Sequence, residues 1–288
     1  MFFLIQKPYG LSSFSAIAHL RKKFGIKKIG HTGTLDPLAT GLLLVATDNS
    51  TKLISYIDKA RKSYVFTVRL DGSTPSYDLD TPVEYLDVDI VEKARTTLTK
   101  EIIEHTIQTY FFGKIEQIPP SYSAIRLQWQ RAYHMVRAGQ EVQISKREIE
   151  IFSTRLVSFS FPEVTIEMEV SVGTYIRSIA RDIGEKLGLA GHVTMLHRNK
   201  IEHLDEILAR KIEDITLEDT LSYDCIFPGF EIISPEAEIL EKLYNGLVFS
   251  NTIGLESGKK YLVKNGDKYI SLIEERDGMV RICANNIE

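Results

Sequence analysis

The sequence predicts an α+β fold with a small β appendage, and three patterns carry that prediction. REIEIFSTRLVSFSF and EVTIEMEVSV alternate like half-buried antiparallel strands, the second with Val164, Ile166, Met168 and Val170 on one face. Behind Gly173 and Thr174, the residues Ile176, Ile179, Ala180, Ile183 and Leu187 recur at helical spacing and stop at Gly188. After PGF at 228–230, the runs KKYLVK, YISLIE and MVRICA are strand candidates joined by NGD and RDG turns. Strands and helices are intermixed, without repeats or low-complexity tracts.

Taken in order, FFLIQKP reads as a short buried strand stopped by Pro8. Ser12 or Ser13 then caps a helix to about Phe24, with Phe14, Ile17, Ala18 and Leu20 on its apolar side. A Gly-punctuated segment fills 30–41. GLLLVAT at 41–47 and SYVFTVRL at 63–70 read as strands, the latter rich in aromatic and β-branched residues. The polar loop DGSTPSYDLDTP leads to a helix at about 88–100. TIQTYFFGKIEQIPPSYSAIR holds a Pro-Pro turn, and a helix with Ala132, Tyr133, Met135 and Val136 follows it. Arg177 falls in the first turn of the helix that follows Thr174. A further helical stretch at roughly 203–221 precedes PGF, which divides a body of 1–228 from an appendage of 229–288.

A chain of 288 residues with 43% hydrophobic content has enough material for one large core with a small second one. The apolar start is interrupted at Lys7 and Pro8, too early for a signal segment, and no run approaches the roughly 18 apolar residues of a membrane span, so a cytoplasmic protein is expected. Cys225 and Cys283 suggest neither a disulfide framework nor a zinc site. The net charge of −4 argues against nucleic-acid binding, yet it hides a polarity. Residues 1–70 hold 11 basic and 3 acidic side chains, whereas residues 200–288 hold 10 and 18. The densest run, Arg21, Lys22, Lys23, Lys27 and Lys28, reads equally as a solvated face or as a surface for phosphates.

GHTGTLDPLATG puts three glycines, four hydroxyl or imidazole side chains and one carboxylate, Asp36, into twelve residues, a density that a plain core element does not need. It has neither the GK[ST] of a P-loop nor the GxGxxG of a dinucleotide loop. Asp36 before Pro37 also reads as a helix N-cap with proline at the first helical position.

With its continuation, GHTGTLDPLATGLL resembles the catalytic motif of the TruB family of tRNA pseudouridine synthases. QKPYGLSS, RKSYVFTVRLD, IPPSYSAIR and SVGTYIRSIARDIGEKLGLAGHVTMLHR resemble four further motifs of that family, in its order, over residues 6–198. The resemblance implies the pseudouridine synthase fold, a mixed and mainly antiparallel sheet flanked by helices, with residues 229–288 as a reduced PUA-like unit. The implied reaction isomerises uridine to pseudouridine in the T-loop of tRNA, position 55 in standard tRNA numbering. It needs no redox change, and hence no cofactor, but it does need an ionised carboxylate, as in glycosidases.

The resemblance places that carboxylate on Asp36, its cationic partner on Arg177, and the aromatic that stacks on the target base and assists at C5 on Tyr64. Attack at C1′ and attack at C6 both remain open. A phenol is a poor base at its ordinary pKa, so stacking is the firmer part of the Tyr64 role. Without the family, Arg177 reads as an exposed helix residue and Tyr64 as a core aromatic. Since the target base must leave its stack, His31 matches the residue that inserts into the T-loop. Tyr175 and Leu196 match the base-pocket lining, core packing being nearly as good a reading of Leu196. Lys7, with Pro8, is a support for the catalytic loop.

Three departures stand out: His197 replaces the first arginine of the family's LRR, leaving Arg198 for a phosphate or structural contact; Thr74, Pro75 and Ser76 replace TDT; Arg126 replaces lysine. The expected partner is the T arm of tRNA, with no membrane, no obligatory protein partner and a monomeric state. A non-catalytic tRNA-binding or tRNA-folding protein on the same scaffold is the alternative, as is a guide-RNA-dependent relative.

Overall fold

The computed structural model describes residues 1–57, 61–123, 125–127, 130–140 and 142–288. Its first elements are β1 (Phe2–Lys7), α1 (Ser13–Phe24), β2 (Ile29–His31), β3 (Thr40–Thr47), α2 (Ile54–Ile57), β4 (Lys62–Arg69), β5 (Gly72–Ser73) and β6 (Glu84–Tyr85). Next come α3 (Val88–Thr97), α4 (Lys100–Tyr110), β7 (Gly113–Gln117), β8 (Arg126–Leu127), β9 (Gln130–Arg131), α5 (Ala132–Arg137), β10 (Arg147–Ser160), β11 (Glu163–Val170), α6 (Ile176–Lys186) and β12 (His192–Ile201). The remainder are β13 (Leu204–Asp205), β14 (Arg210–Lys211), α7 (Tyr223–Ile226), β15 (Glu231–Ile233), α8 (Ala237–Tyr244), β16 (Phe249–Ser250), β17 (Lys260–Asn265), β18 (Lys268–Arg276) and β19 (Met279–Asn285). Ala124 of the IPPSYSAIR motif and the side chain of Arg126 lie outside the described residues.

The main sheet has the order β14-β1-β3-β12-β4-β11-β10-β7, with β2 and β13 attached to β3 and β12. It is antiparallel except where β1 meets β14 and β3 meets β12. Thus the mixed, mainly antiparallel sheet flanked by helices is present, and the alternating strands β10 and β11 pair antiparallel as their pattern predicts. The contact between β3 and β12 holds only two residue pairs, His197 with Thr40 and Arg198 with Gly41. Gly41 is required there. Its φ is +100°, and a Cβ would run into the Arg198 carbonyl.

On one face of the sheet, Phe66, Val68, Ile166 and Met168 pack with Ile176, Ile179 and Ile183 of α6 and with Ile103 and Ile107 of α4. Each such aliphatic burial contributes roughly 1.5–3 kcal/mol, which fixes α6 on the sheet and with it the direction of Arg177. A second core joins Phe2, Leu4, Leu42 and Leu44 of β1 and β3 to Leu262, Tyr269 and Leu272 of the five-stranded sheet β15-β17-β18-β19-β16. The small C-terminal β unit is therefore seated on the main sheet through shared apolar packing.

Several local expectations are corrected. Phe14 is 69% exposed, and the buried face of α1 is Ser13, Ala16, Ile17 and Leu20. No long helix fills 203–221: Asp205 and Thr216 cap 3-10 turns, while β13 pairs with β12 and β14 with β1, so that these backbone groups are satisfied by the sheet. The helices α4 and α8 and the central strand β12 were not foreseen as such. No described helix is long and apolar enough to cross a membrane.

Candidate active site

The segment between β2 and β3 is a loop held from below. The Ser13 hydroxyl, at the start of α1, accepts from Leu35 N–H at 2.8 Å and donates to Leu35 C=O at 3.0 Å. Lys7, 1% exposed at the end of β1, donates from Nζ to the carbonyls of Pro8 (2.8 Å), Leu11 (2.6 Å) and Pro37 (3.3 Å). Burial, opposed in part by the nearby Asp36 charge, pushes the Lys7 pKa down to about 8. The N–H of Gly10 donates to Pro37 C=O at 2.8 Å. Asp36 caps no helix. Its carbonyl accepts from Ala39 N–H at 3.0 Å and closes a turn with Pro37 at the position where a fixed φ is suited, after which the chain enters β3. The side chain is left free for other work.

The reading of Arg177 as exposed is also corrected: its side chain is 5% exposed. From the second position of α6 its guanidinium meets Asp36, with Nη2 donating to Oδ1 at 3.2 Å and Nε in ion contact with Oδ2 at 2.9 Å, without hydrogen-bond alignment. Its Nη1 donates to Ser76 C=O at 3.0 Å, and Nε lies 3.5 Å from Oδ2 of Asp78. One cation therefore serves two carboxylates. Asp78 is 4% exposed whereas Asp36 is 32% exposed, so Asp36 is the one presented outward. Burial raises the Asp78 pKa, and Arg177, the Ser76 hydroxyl and the Asp80 N–H hold it back. The loop carrying Asp78 is knotted by its own groups: Ser76 Oγ donates to Asp78 Oδ1 at 2.6 Å, Asp80 N–H to the same oxygen at 2.9 Å, and Thr74 Oγ1 to Asp78 C=O at 2.7 Å.

Tyr64 on β4 stands opposite Arg198 on β12 and Met168 on β11. Arg198, fully buried, reaches from β12 over β3 and the loop: Nε donates to Leu42 C=O at 2.8 Å, Nη2 to Gly33 C=O at 3.1 Å and Nη1 to the Tyr64 hydroxyl at 3.4 Å. Its contacts are internal ones. His197 points elsewhere, with Nδ1 2.7 Å from Thr40 Oγ1 and Nε2 2.8 Å from Glu206, and takes no part in the cavity wall.

A cavity of about 380 Å³ is lined by Asp36, Tyr64, Tyr175, Arg177, Leu196 and Arg198, together with Lys62 and Arg147. Six of the eight residues singled out in the sequence thus meet in one place, from β4, β12, α6 and the catalytic loop. Lys7 lies beneath the loop. His31 opens onto an adjoining groove, which shares Asp36 and Arg177 with the cavity and is flanked by Tyr9 and Phe14. Gly33 N–H donates to His31 Nδ1 at 3.3 Å, and burial, with Arg198 and Lys62 nearby, lowers the His31 pKa and keeps the ring neutral. Three residues escaped the sequence reading. Asp78 had only the polarity of its loop as a signal. Gln117, 1% exposed, accepts from Tyr175 N–H at 2.8 Å and donates to Tyr175 C=O at 3.0 Å, a clamp with no sequence pattern of its own. Arg147 looked like one more polar residue at a strand end.

A carboxylate at the wall of a nucleoside-sized cavity, fixed by a buried guanidinium and sharing that cavity with an aromatic ring, is equipped for attack on a sugar or base. Residues 21–176 match the family described as TruB family pseudouridylate synthase (N terminal domain). A protein of Leifsonia xyli subsp. xyli named tRNA pseudouridine synthase B is 39% identical over 222 residues, covering 75% of this chain and 70% of that one. One of the same name from Bacteroides fragilis is 40% identical over 201 residues, covering 68% and 83%. Among solved structures, a chain of a Cbf5-Nop10-Gar1 complex is similar in fold, with a TM-score of 0.71 at 19% identity over 99% of this chain and 83% of that one. A chain of the archaeal box H/ACA sRNP Nop10-Cbf5 complex gives 0.68 at 17% identity, over 100% and 86%. With a family match over more than half its length and relatives near 40% identity across most of it, the chain belongs to the TruB family of pseudouridylate synthases.

Proposed function

We propose that this protein isomerises uridine to pseudouridine in the T-loop of tRNA, at position 55, with Asp36 as the essential carboxylate. The observation that carries the reading is the pinning of Asp36: both of its oxygens face the Arg177 guanidinium while the side chain stays open to the cavity. The guanidinium supplies the fixed positive charge that an attacking carboxylate in such a pocket calls for. At C1′ the carboxylate would displace N1 as it bonds, and at C6 it would add before the N1–C1′ bond breaks. By either route the base turns, C5 joins C1′, the bond to Asp36 is broken to release the carboxylate, and the C5 proton leaves as N1 gains one. Tyr64 stacks on the base, Tyr175 and Leu196 line its sides, and His31 fills the gap left when the nucleotide flips out, a step costing a few kcal/mol. Arg198 and Lys7 position the loop and the ring.

The curated relatives are named for tRNA, and exposed cations on α1 and after it suit an RNA backbone. We assign the chemistry to residues 1–228 and a subsidiary RNA contact to 229–288, and expect a cytoplasmic monomer acting without a protein partner. The test is tritium release from a tRNA transcript labelled at uridine C5. Wild type should release it and Asp36→Asn should not. Binding without release by the wild type would favour the non-catalytic reading, and undiminished release by Asp36→Asn would remove Asp36 from the mechanism.

A further inference from the structure

Arg147 opens β10, paired with Gln117 of β7, and its side chain enters the wall of the same cavity as Asp36, Tyr64 and Arg177. Its guanidinium lies 4.6 Å from the centroid of the Tyr175 ring and beneath Gly173, where a Cβ would come within 3.7 Å of it. Two of its nitrogens, Nε and Nη2, are buried and have no hydrogen-bond partner among the described residues.

The neighbouring cations differ. Arg177 is matched by two carboxylates, and Arg198 by two carbonyls and a hydroxyl. Arg147 has an aromatic face and nothing anionic: burial pushes its pKa below the ordinary arginine value, and Tyr175 offsets this only in part. Buried donors of a cation without acceptors cost stability. A cation set against a ring with two of its nitrogens lacking an acceptor, in the wall of the cavity, is ready for an anion.

We propose that Arg147 binds a backbone phosphate adjoining the flipped-out target nucleotide. A guanidinium fork matches two oxygens of a phosphodiester, whereas a uracil carbonyl offers one uncharged oxygen. The single carboxylate lining the cavity, Asp36, is already held by Arg177. Contact with the Tyr175 ring places the guanidinium, and the Gln117 clamp on the Tyr175 backbone holds that ring's segment in place. The inference rests on the RNA-isomerase reading and adds to it the group that grips the substrate's backbone.

The test uses the full chain, as wild type, Arg147→Gln and Arg147→Lys. The probes are a T-arm hairpin and two versions carrying one neutral methylphosphonate, 5′ or 3′ of the target uridine. One of the two methylphosphonates should weaken wild-type binding by about tenfold to a hundredfold. Arg147→Gln should show a similar loss on the native hairpin and no further loss on that methylphosphonate, with Arg147→Lys between. The inference is overturned if neither methylphosphonate weakens wild-type binding, a result that needs no variant to fold. It is equally overturned if Arg147→Gln responds to both as wild type does. A wild type that binds no hairpin and releases no tritium overturns the functional reading and this inference together, whereas the preceding outcomes overturn the inference alone.

Discussion

The first seventy residues and the C-terminal β unit both carry many cations and use them in opposite ways. In residues 229–288, seven basic side chains face ten acidic ones, and most are paired at the surface: Lys242 with Glu238, Lys259 with Glu231 and Glu256, Lys260 with Glu274, Arg276 and Arg281 with Asp277. In residues 1–70, Arg21, Lys22, Lys27 and Lys28 are exposed and have no acidic partner among the described residues. A net charge of −4 therefore says little about RNA. What matters is which cations are left without a carboxylate, and these lie on and just after α1, the helix whose Ser13 holds the catalytic loop.

The comparison is broken most severely at the site itself. Arg177→Ala leaves two carboxylates facing each other without their cation. The expected result is a loss of about a thousandfold or more in single-turnover tritium release and a stability decrease of about 3–5 kcal/mol in urea titration. Arg177→Lys should recover stability better than rate, since it keeps the charge and loses the fork. If both variants turn over normally, the Asp36–Arg177 pair is not part of catalysis.

Replacing Arg21, Lys22, Lys27 and Lys28 together by glutamine should weaken tRNA binding about tenfold to a hundredfold at low salt and lower the slope of log affinity against log salt by about 3. Turnover of bound tRNA should not change. An unaltered slope would make the run a solvated face.

A smaller effect is expected from pH. The unfolded histidine takes up a proton near pH 6.5, whereas His31 in the fold resists it, because burial and the Arg198 and Lys62 charges depress its pKa. Its contribution to stability is complete above pH 6.5 and is lost as the pH falls through the depressed value. The drop in Tm between pH 7.5 and 5 should narrow in His31→Gln; an equal drop in both proteins would contradict this. The smallest effect closes the series. Lys242→Gln, Lys259→Gln and Arg281→Gln should each leave tRNA affinity within about twofold and Tm nearly unchanged, as exposed pairs do.

Much of this was legible in the sequence because local chemistry and family motifs coincide in it. The catalytic loop, β4 with Tyr64 and the helix start that carries Arg177 are each marked by residues within a few positions. What was illegible depends on contacts between distant segments. Asp78 matters only because its loop folds back on Ser76 and meets α6, and Gln117 only because its amide reaches the Tyr175 backbone. The helix expected at 203–221 failed for the same reason, since sheet pairing with β1 and β12 outweighed local preference. Asp36 was read as a cap because Asp-Pro starts helices as well as turns, and the return of the chain into β3 within four residues decided for the turn.

The narrow contact between β3 and β12 has one more consequence. Asp36 is carried on the β3 side of that contact and Tyr64 on the β12 side, so only a two-pair ladder of backbone pairing links carboxylate and ring across the sheet. Two guanidinium groups act as the gauge blocks: Arg198 spans this narrow contact to Leu42 and Gly33 while touching Tyr64, and Arg177 anchors the carboxylate from the helix. The spacing of carboxylate and ring is machined largely in side chains, and a substitution at either arginine alters a dimension of the seat as well as a charge.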